Sequence, residues 1–229
     1  MSQAEPQIRD AATVILLRRG PAGPSVLMGM RGAKAAFMPS KYVFPGGAVD
    51  ATDGDAALAA GLSEPSLGRL AQEPRPGVAI DVPALAAAAL RELVEETGLM
   101  IGRADGAGSD WPGYAEAGLT PDASALHYVF RAITPPGRPR RFDARFFIAD
   151  AALLSNDPDD FGAAEDELSH LHWVPLVEAR ALDLPFITEV VLAEVAELVT
   201  ESGDGPLVAP DTVPFFDNRG MKPRFAQIT

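Results

Sequence analysis

The chain has 229 residues, of which 47% are hydrophobic and 22% are charged, as is typical of a folded globular protein. Its net charge of -13 disfavours general binding to nucleic acid or to anionic membranes. The absence of cysteine excludes disulfides, thiolate nucleophiles and cysteine-based zinc sites. Residues 1–10 are polar, unlike a secretory signal, and no run reaches the roughly 18 apolar residues of a membrane helix. We therefore expect a cytoplasmic protein.

In chain order, apolar runs, turn residues and helical periodicity predict a series of strands with a few helices between them. The predicted strands are residues 11–17, 25–30, 42–44, 126–133, 141–149 and 170–174. The predicted helices are residues 55–61, 65–72, 84–97 and 188–200. Because strands outnumber helices and several adjacent strands are separated by turns, we predict a mixed sheet flanked by helices, an α/β or α+β sandwich.

Loops separate several of these elements. Residues 102–121 and the acidic stretch 156–167 predict loops, and a proline-rich turn joins the strands at 126–133 and 141–149. The tail from residue 203 is also rich in proline, but its phenylalanines predict that part of it packs against the core.

The helix predicted at 84–97 carries three glutamates on one face. Pro83 suits its first turn, and Gly98 suits its C-terminal cap. Glu92, Glu95 and Glu96 have the spacing i, i+3 and i+4, which places them on one face within about 100° of arc. Such like charges repel, and a divalent cation that prefers carboxylate oxygens would offset the repulsion. A bare glutamate-rich helix face is more often simply solvated, so the spacing alone leaves both interpretations open.

The nine residues 91–99, R-E-L-V-E-E-T-G-L, resemble the second half of the Nudix box, G-x5-E-x7-R-E-U-x-E-E-x-G-U, in which U is a bulky aliphatic residue. The turn formed by residues 44–47, F-P-G-G, resembles the opening of the box. With Gly47 as the first glycine, Asp53 stands where the pattern has Glu, and 37 residues (54–90) stand where it has seven.

A competing register takes Gly77 as the first glycine and then places Pro83 at the acid position. Gly77 lacks the preceding strand and the Pro-Gly-Gly turn, so we favour Gly47.

The interruption resembles a branch of the Nudix family that includes peroxisomal coenzyme A diphosphatases. Residues 26–31 leading to 42–50 are similar to the segment that opens the box in coenzyme A-cleaving members, and residues 133–135 with 141–147 resemble a strand pair of that branch. The resemblance implies an α/β/α Nudix fold and one Nudix domain over residues 1–229. Residues 51–83 would then be an insertion within the box, and residues 203–229 a C-terminal tail.

The resemblance also implies Mg²⁺- or Mn²⁺-dependent hydrolysis of a diphosphate linkage in a small nucleoside diphosphate derivative, with coenzyme A or acyl-CoA as the leading substrate. The alternatives are a nucleotide sugar, ADP-ribose or a dinucleotide as substrate, or a non-catalytic Nudix-like module that binds a nucleotide or a partner protein. Many family members dimerise, so a homodimer is compatible with the sequence.

Carried over residue by residue, Glu92, Glu95 and Glu96 match the metal-binding glutamates, and Arg91 matches the arginine that orients them. The carbonyl near Gly46 or Gly47 matches a further metal ligand. The resemblance thus predicts a site in which a metal ion neutralises diphosphate charge and activates water.

Further candidates lie outside the helix. Glu167 is the preferred general base, because an acid shortly before a Trp-containing strand recurs in the family; Glu165 or a box glutamate is the alternative. Arg31 and Lys41 flank the loop that leads to the Pro-Gly-Gly turn, and they are predicted, with Gly46 and Gly47, to contact substrate phosphates. The only nearby histidine pair, His170 and His172, lacks a third ligand, so we do not predict a zinc site.

Overall fold

The computed structural model describes residues 6–33, 35, 37–104 and 108–229. The strands within them are β1 (Ile8–Arg18), β2 (Ser25–Arg31), β3 (Tyr42–Val43), β4 (Gly46–Ala48), β5 (Gly102–Arg103), β6 (Thr120–Pro121), β7 (His127–Ile133), β8 (Arg141–Asp150), β9 (Leu168–Pro175), β10 (Val213–Asp217) and β11 (Arg224–Ile228). The helices are α1 (Ser66–Leu70), α2 (Val82–Thr97), α3 (Tyr114–Ala117), α4 (Leu176–Ala179) and α5 (Phe186–Ser202). Of the predicted polar N-terminus and the predicted loop at 102–121, residues 1–5 and 105–107 lie outside the described residues.

A mixed sheet forms the centre of the molecule. Within the described residues it has nine strands in the order β11-β10-β7-β8-β1-β2-β3, and β4 pairs with β1 while β9 pairs with β2. β1 runs parallel to β8 and antiparallel to β2 and β4. β7 and β8 form the predicted antiparallel hairpin. The predicted α+β fold with a mixed sheet is confirmed.

Side chains of β1 alternate between two hydrophobic clusters on opposite faces of the sheet. Ala12, Val14 and Leu16 contact the cluster that includes the apolar residues of α2. Ile15 and Leu17 contact the cluster that includes those of α5. Because successive strand residues point to opposite faces, a strand with apolar residues at almost every position must be covered on both sides. Helices on both faces provide that cover.

The sequence-predicted end signals of α2 are present in the structure. The Asp81 side chain accepts a hydrogen bond of 2.9 Å from the Ala84 N–H, which caps the first turn that contains Pro83. Gly98 adopts a left-handed conformation with φ of 75°, and its N–H donates to the Val94 carbonyl at 2.8 Å. Both ends of the glutamate-bearing helix are therefore fixed.

The segment 51–83 differs in part from the prediction. The predicted helix at 65–72 is present as α1, but the one at 55–61 is wrong, because only a 3-10 turn at Asp53–Asp55 forms. The Ala59 N–H donates to the Pro121 carbonyl at 2.8 Å, and the Ala60 carbonyl accepts from Ala123. These backbone groups bond to a distant part of the chain and are not available for a helical ladder, so the helix propensity of alanine is overridden.

Buried arginines fasten the 51–83 segment to the sheet. Arg75 donates to Asp10 at 2.5 Å and to Asp143 at 3.0 Å. Arg131 forms two hydrogen bonds of 2.8 Å with Asp143 and a third, of 2.9 Å, with the Glu73 carbonyl. Asp143 is fully buried and Arg131 almost so, and such charges are stable in a core only when their polar atoms are paired.

The tail after α5 packs back more completely than its composition predicts. β10 lies parallel to β7, and β11 pairs antiparallel with β10, so the tail adds two strands to the sheet. Among the described residues, no helix combines the length and the apolar character needed to cross a membrane.

Candidate active site

The glutamate-bearing helix lies directly against the glycine turn. The Gly46 N–H donates to Glu96 Oε2 at 2.7 Å. A Cβ atom added to Gly47 would overlap the carboxylate of Glu92, so this close approach requires glycine. A Cβ atom on Gly77, by contrast, would meet no atom within 4 Å. This contact supports Gly47, and not Gly77, as the first glycine of the box.

Arg91 connects the turn, the helix and the 51–83 segment. Its Nε and Nη2 atoms donate to the two carboxylate oxygens of Asp53 at 2.8 and 3.1 Å. Its Nη1 atom donates to Glu92 Oε1 at 2.9 Å and to Glu95 Oε2 at 2.8 Å. Its Nη2 atom also donates to the Ala48 carbonyl at 3.0 Å. Asp53 and the Ala48 carbonyl therefore hold the Arg91 guanidinium in place, and the guanidinium in turn holds two of the three glutamates.

Charge and burial oppose each other at Arg91. Burial alone would lower the pKa of this guanidinium, but the hydrogen bonds that it donates to Asp53 and the charges of Glu92 and Glu95 raise its pKa well above the usual value. Arg91 is thus a permanent cation among the box carboxylates.

The negative charges of the three glutamates are less well compensated by neighbouring groups than the positive charge of Arg91. Burial raises the pKa of Glu92 to about 7 and that of Glu96 to about 8, and it also raises the pKa of Glu95. Glu96 Oε1 is buried and has no hydrogen-bond partner. A buried carboxylate oxygen without a partner is costly unless a cation or a proton reaches it.

These carboxylates are suitable ligands for a hard divalent cation, because Mg²⁺ and Mn²⁺ prefer oxygen ligands. Within the described part of the chain, no three His, Asp or Glu side chains already converge in a metal-binding arrangement. Arg91 holds one oxygen of Glu92 and one of Glu95. The unpartnered oxygen of Glu96 and the high pKa values of Glu92 and Glu96 show that the negative charge of these carboxylates is incompletely compensated by protein groups. The residues therefore fit a divalent metal.

The acidic loop before β9 places both candidate bases beside the helix. The Glu165 N–H donates to the Glu95 carbonyl at 2.8 Å. Glu167 Oε1 lies 2.6 Å from Arg31 Nη2, and the charge of Glu167 contributes to the raised pKa values of Glu92 and Glu96. The structure therefore brings Arg31 and Glu167 to the box, but through a contact with each other that the sequence did not indicate.

Asn156 fastens the start of the same loop. Its side-chain amide donates to the Gly98 carbonyl at 2.8 Å, and its side-chain oxygen accepts from the Met100 N–H at 3.0 Å. No sequence pattern identified Asn156, because a single asparagine at the start of a loop has many interpretations.

Lys41 and the histidine pair form contacts that do not involve the box glutamates. Lys41 forms an ion pair with Asp183, in the segment between α4 and α5. His172 packs edge-on against Tyr42, with ring centroids 5.8 Å apart, and His170 and His172 are both exposed.

No protein-family model matches the sequence, but individual known proteins are similar to it. The chain is 28% identical to a NUDIX hydrolase from Alicyclobacillus acidocaldarius, whose crystal structure it matches with a TM-score of 0.59 over 90% of this chain and 100% of that one. The chain resembles Nudix hydrolases in both sequence and fold. It is also 29% identical over 181 residues to "Putative nudix hydrolase 7" of Caenorhabditis elegans.

That alignment covers 72% of the present chain and 51% of the nematode protein, so the chain spans about half the length of this relative. The two parts of the sequence that resemble the box are separated in the chain but adjacent in space, since Gly47 lies against Glu92 and Asp53 contacts Arg91.

Proposed function

We propose that this chain hydrolyses a diphosphate linkage in a nucleoside diphosphate derivative and uses Mg²⁺ or Mn²⁺. The observation that carries the proposal is the arrangement of Glu92, Glu95 and Glu96 against the turn at Gly46 and Gly47. A solvated helix face would not bury two of these carboxylates or leave Glu96 Oε1 without a partner.

Each residue has a distinct part in this proposal. Glu92, Glu95, Glu96 and the Gly47 carbonyl would hold the metal. A bound divalent cation supplies neutralisation of diphosphate charge and polarisation of the phosphorus–oxygen bonds. Arg91, held by Asp53, keeps Glu92 and Glu95 oriented.

Glu167 is the proposed general base. It would accept a proton from water as the water oxygen attacks one phosphorus and the bridging phosphorus–oxygen bond breaks. Its charge contributes to the raised pKa values of Glu92 and Glu96, which supports this role. Glu165, whose backbone is bonded to that of Glu95, is the alternative.

Coenzyme A or acyl-CoA is the substrate that we propose first. This choice rests on the interrupted box and on the similarity of residues 26–31 and 42–50 to coenzyme A-cleaving members. The alternatives are nucleotide sugars, ADP-ribose and dinucleotides. Lys41, Gly46 and Gly47 are proposed to contact substrate phosphates. We further propose that residues 51–83 are an insertion in one Nudix domain, with 203–229 as its tail, and that the protein acts in the cytoplasm.

The first test is turnover with and without metal. Purified protein is incubated with coenzyme A, acetyl-CoA, ADP-ribose, a nucleotide sugar or diadenosine tetraphosphate, and the phosphate-containing products are quantified. We expect turnover of at least one substrate that disappears with EDTA and returns with Mg²⁺ or Mn²⁺. Glu95→Gln should lower kcat about 100-fold or more, because it removes a metal-ligand charge.

Glu197→Gln is the matched control, since it removes an exposed glutamate from the other long helix. It should retain wild-type activity. Absence of turnover with every substrate, or turnover indifferent to Glu95, would reject the enzymatic function.

A non-catalytic nucleotide-binding module is the second candidate, suggested by Asp53 in place of Glu. The two hydrogen bonds that Asp53 forms with Arg91 weaken this candidate, because the shorter acid still holds the arginine. Such a module would bind a nucleotide in calorimetry and turn none of the panel over.

A further inference from the structure

An ion pair joins the ends of two neighbouring strands beside the box. Arg31 is the last residue of β2, Glu167 immediately precedes β9, and Arg31 pairs with Leu168 in the register of these strands. The Arg31 Nη2 atom lies 2.6 Å from Glu167 Oε1. The strands thus bring together a cation and an acid that are 136 residues apart in the chain.

Arg31 is the well-held partner of the two. Its side chain is 20% exposed, whereas that of Glu167 is 56% exposed. The Arg31 N–H donates to the Lys41 carbonyl at 3.0 Å, and the Arg31 carbonyl accepts from Ser40 at 3.1 Å. A glutamate as exposed as Glu167 would sample several rotamers in water if it had no partner.

The strands behind the pair are closely packed. A Cβ atom on Gly29 would lie 2.9 Å from Leu171 Cδ2 and 3.0 Å from Leu168 Cβ, closer than side-chain atoms ordinarily approach. β2 therefore supports the start of β9 at short range, and Arg31 extends that support to the last residue of the acidic loop.

The position of Arg31 is poorly suited to a phosphate ligand. Its Nε atom is buried and has no hydrogen-bond partner, so a phosphate arriving from solvent would not reach it. Glu167 already holds Nη2. Bidentate recognition of phosphate by arginine requires two adjacent N–H groups that face the ligand.

We propose that Arg31 is a positioning residue that holds Glu167 beside the box carboxylates, in place of the phosphate contact that the sequence predicts for it. This inference rests on the proposed function, because it assumes that Glu167 takes the proton from water. General-base catalysis is sensitive to placement, and a displacement of about 1 Å can lower a rate about 100-fold. An exposed ion pair contributes little to stability, so loss of Arg31 should change activity and leave the fold intact.

The kinetic test compares Arg31→Gln, Arg31→Lys, Glu167→Gln and the double variant Arg31→Gln/Glu167→Gln, with the substrate that wild type turns over. We expect Arg31→Gln to lower kcat about 10- to 100-fold while KM changes less than about twofold. Arg31→Lys should recover part of the loss. The double variant should be no slower than Glu167→Gln alone, because the two residues act as one unit.

Arg9→Gln is the control, since it removes a different ion pair between an arginine and a carboxylate, Arg9–Asp50, and should leave kcat and KM unchanged. A rise in KM with unchanged kcat in Arg31→Gln would identify Arg31 as a phosphate ligand. Losses that multiply in the double variant would show that the two residues act separately. Either result would overturn the inference.

A second measurement does not depend on activity. Amide hydrogen exchange at residues 165–168 should be faster in Arg31→Gln and in Glu167→Gln than in wild type, and unchanged in Arg9→Gln. Unchanged exchange in Arg31→Gln would show that Arg31 does not hold the loop. Wild-type protein without turnover would reject the proposed function, whereas this exchange result would still decide whether Arg31 positions Glu167.

Discussion

One partly buried guanidinium group connects the parts of the candidate site. Arg91 contacts Asp53, two box glutamates and the strand that follows the glycine turn. Asp53 is one methylene shorter than the glutamate of the family pattern. The 3-10 turn at Asp53–Asp55 and the hydrogen bond from the Asp50 N–H to Asp53 Oδ2, at 2.8 Å, bring its carboxylate to the arginine. Backbone placement thus compensates for side-chain length.

Replacement of Asp53 should therefore affect both stability and catalysis. Asp53 is 1% exposed, and Asp53→Ala would leave the buried Arg91 without its bidentate partner. We expect a loss of about 2–3 kcal/mol in the free energy of unfolding, less than for a fully unpaired buried charge because Glu92 and Glu95 remain. Urea denaturation measures this loss, and kcat should fall with it because Arg91, no longer fixed by Asp53, would orient the glutamates less rigidly.

The neighbouring Asp55→Ala provides the comparison, because Asp55 is exposed. Its free energy of unfolding should lie within about 0.5 kcal/mol of wild type. Equal stability of the two variants would show that Asp53 does not hold Arg91 in solution.

At this scale the sequence predicts residues that share one helix and misses partners that are far apart. Arg91 and the three glutamates follow from local spacing. The pairing of Arg31 with Glu167 depends on which strands become neighbours, and no periodicity in the chain specifies that.

At the scale of elements, charged side chains join the C-terminal hairpin of β10 and β11 to the 51–83 segment. Arg219 contacts Glu73 at 3.0 Å and Asp217 at 2.8 Å, and Arg224 contacts the same two acids at 3.0 and 3.2 Å. Hydrogen bonds from Arg219 and Arg224 lower the pKa of Glu73. At Asp217 burial acts in the opposite sense, but hydrogen bonds from Arg219 outweigh it and lower the pKa.

These lowered pKa values predict how stability depends on pH. A carboxyl group with a lower pKa in the folded state stabilises the fold above its unfolded pKa, which is 3.8 for aspartate, and loses that contribution as pH falls through the folded value. Asp217→Asn should therefore be less stable than wild type at pH 7, and the difference should shrink below pH 3.8.

Chemical denaturation between about pH 3 and 7 measures the difference, and exposed Asp204→Asn is the control. A difference between Asp217→Asn and wild type that is constant with pH would contradict the assigned ion pairs.

The elements themselves are predicted unevenly for a physical reason. α2 was found because local capping residues and local periodicity define it. The strands of the tail were missed because β10 pairs with β7, about 80 residues earlier, and its short apolar run is interrupted by Pro214. Short strands are stabilised by neighbours that a local pattern does not contain.

At the scale of the whole molecule, the sheet ends on an unprotected strand. β11 has the sequence R-F-A-Q-I, and it is outermost in the strand order of the described residues. It contains no proline, lysine or acid, and its one charged residue, Arg224, is held in ion pairs with Glu73 and Asp217. Phe225 is 56% exposed on this strand, and Phe186 is 68% exposed in the same row of aromatic rings.

We therefore expect the homodimer that the sequence allows to form by antiparallel pairing of β11 with β11 of a second copy. Pairing centred on Ala226 would set Arg224 opposite Ile228 and Phe225 opposite Gln227, with no like charges opposed. Multi-angle light scattering at tens of micromolar should give twice the mass of the chain.

Gln227→Lys adds a charge to the edge strand and should give a monomer. Met221→Lys adds the same charge at an exposed position outside the strand and should remain dimeric. A monomeric wild type, or a dimer that persists in Gln227→Lys, would contradict dimerisation through β11.

The fold class was predictable because it depends on the sum of many apolar runs. The strand order was not, since β1 lies between β8 and β2 and receives β4 as well.

The arginines that fasten the 51–83 segment to the sheet also determine whether this segment can be removed or transferred without other changes. A deletion that restored the seven-residue spacing would remove Arg75 and the carbonyl of Glu73, and would leave Arg131 and Asp143 in the core with fewer partners. Transplanting this segment into the scaffold of a Nudix hydrolase would likewise require a matching arginine and aspartate on the recipient strands. Trimming, grafting and evolutionary change of the segment are therefore coupled to residues of β7 and β8 that lie far outside it in the sequence.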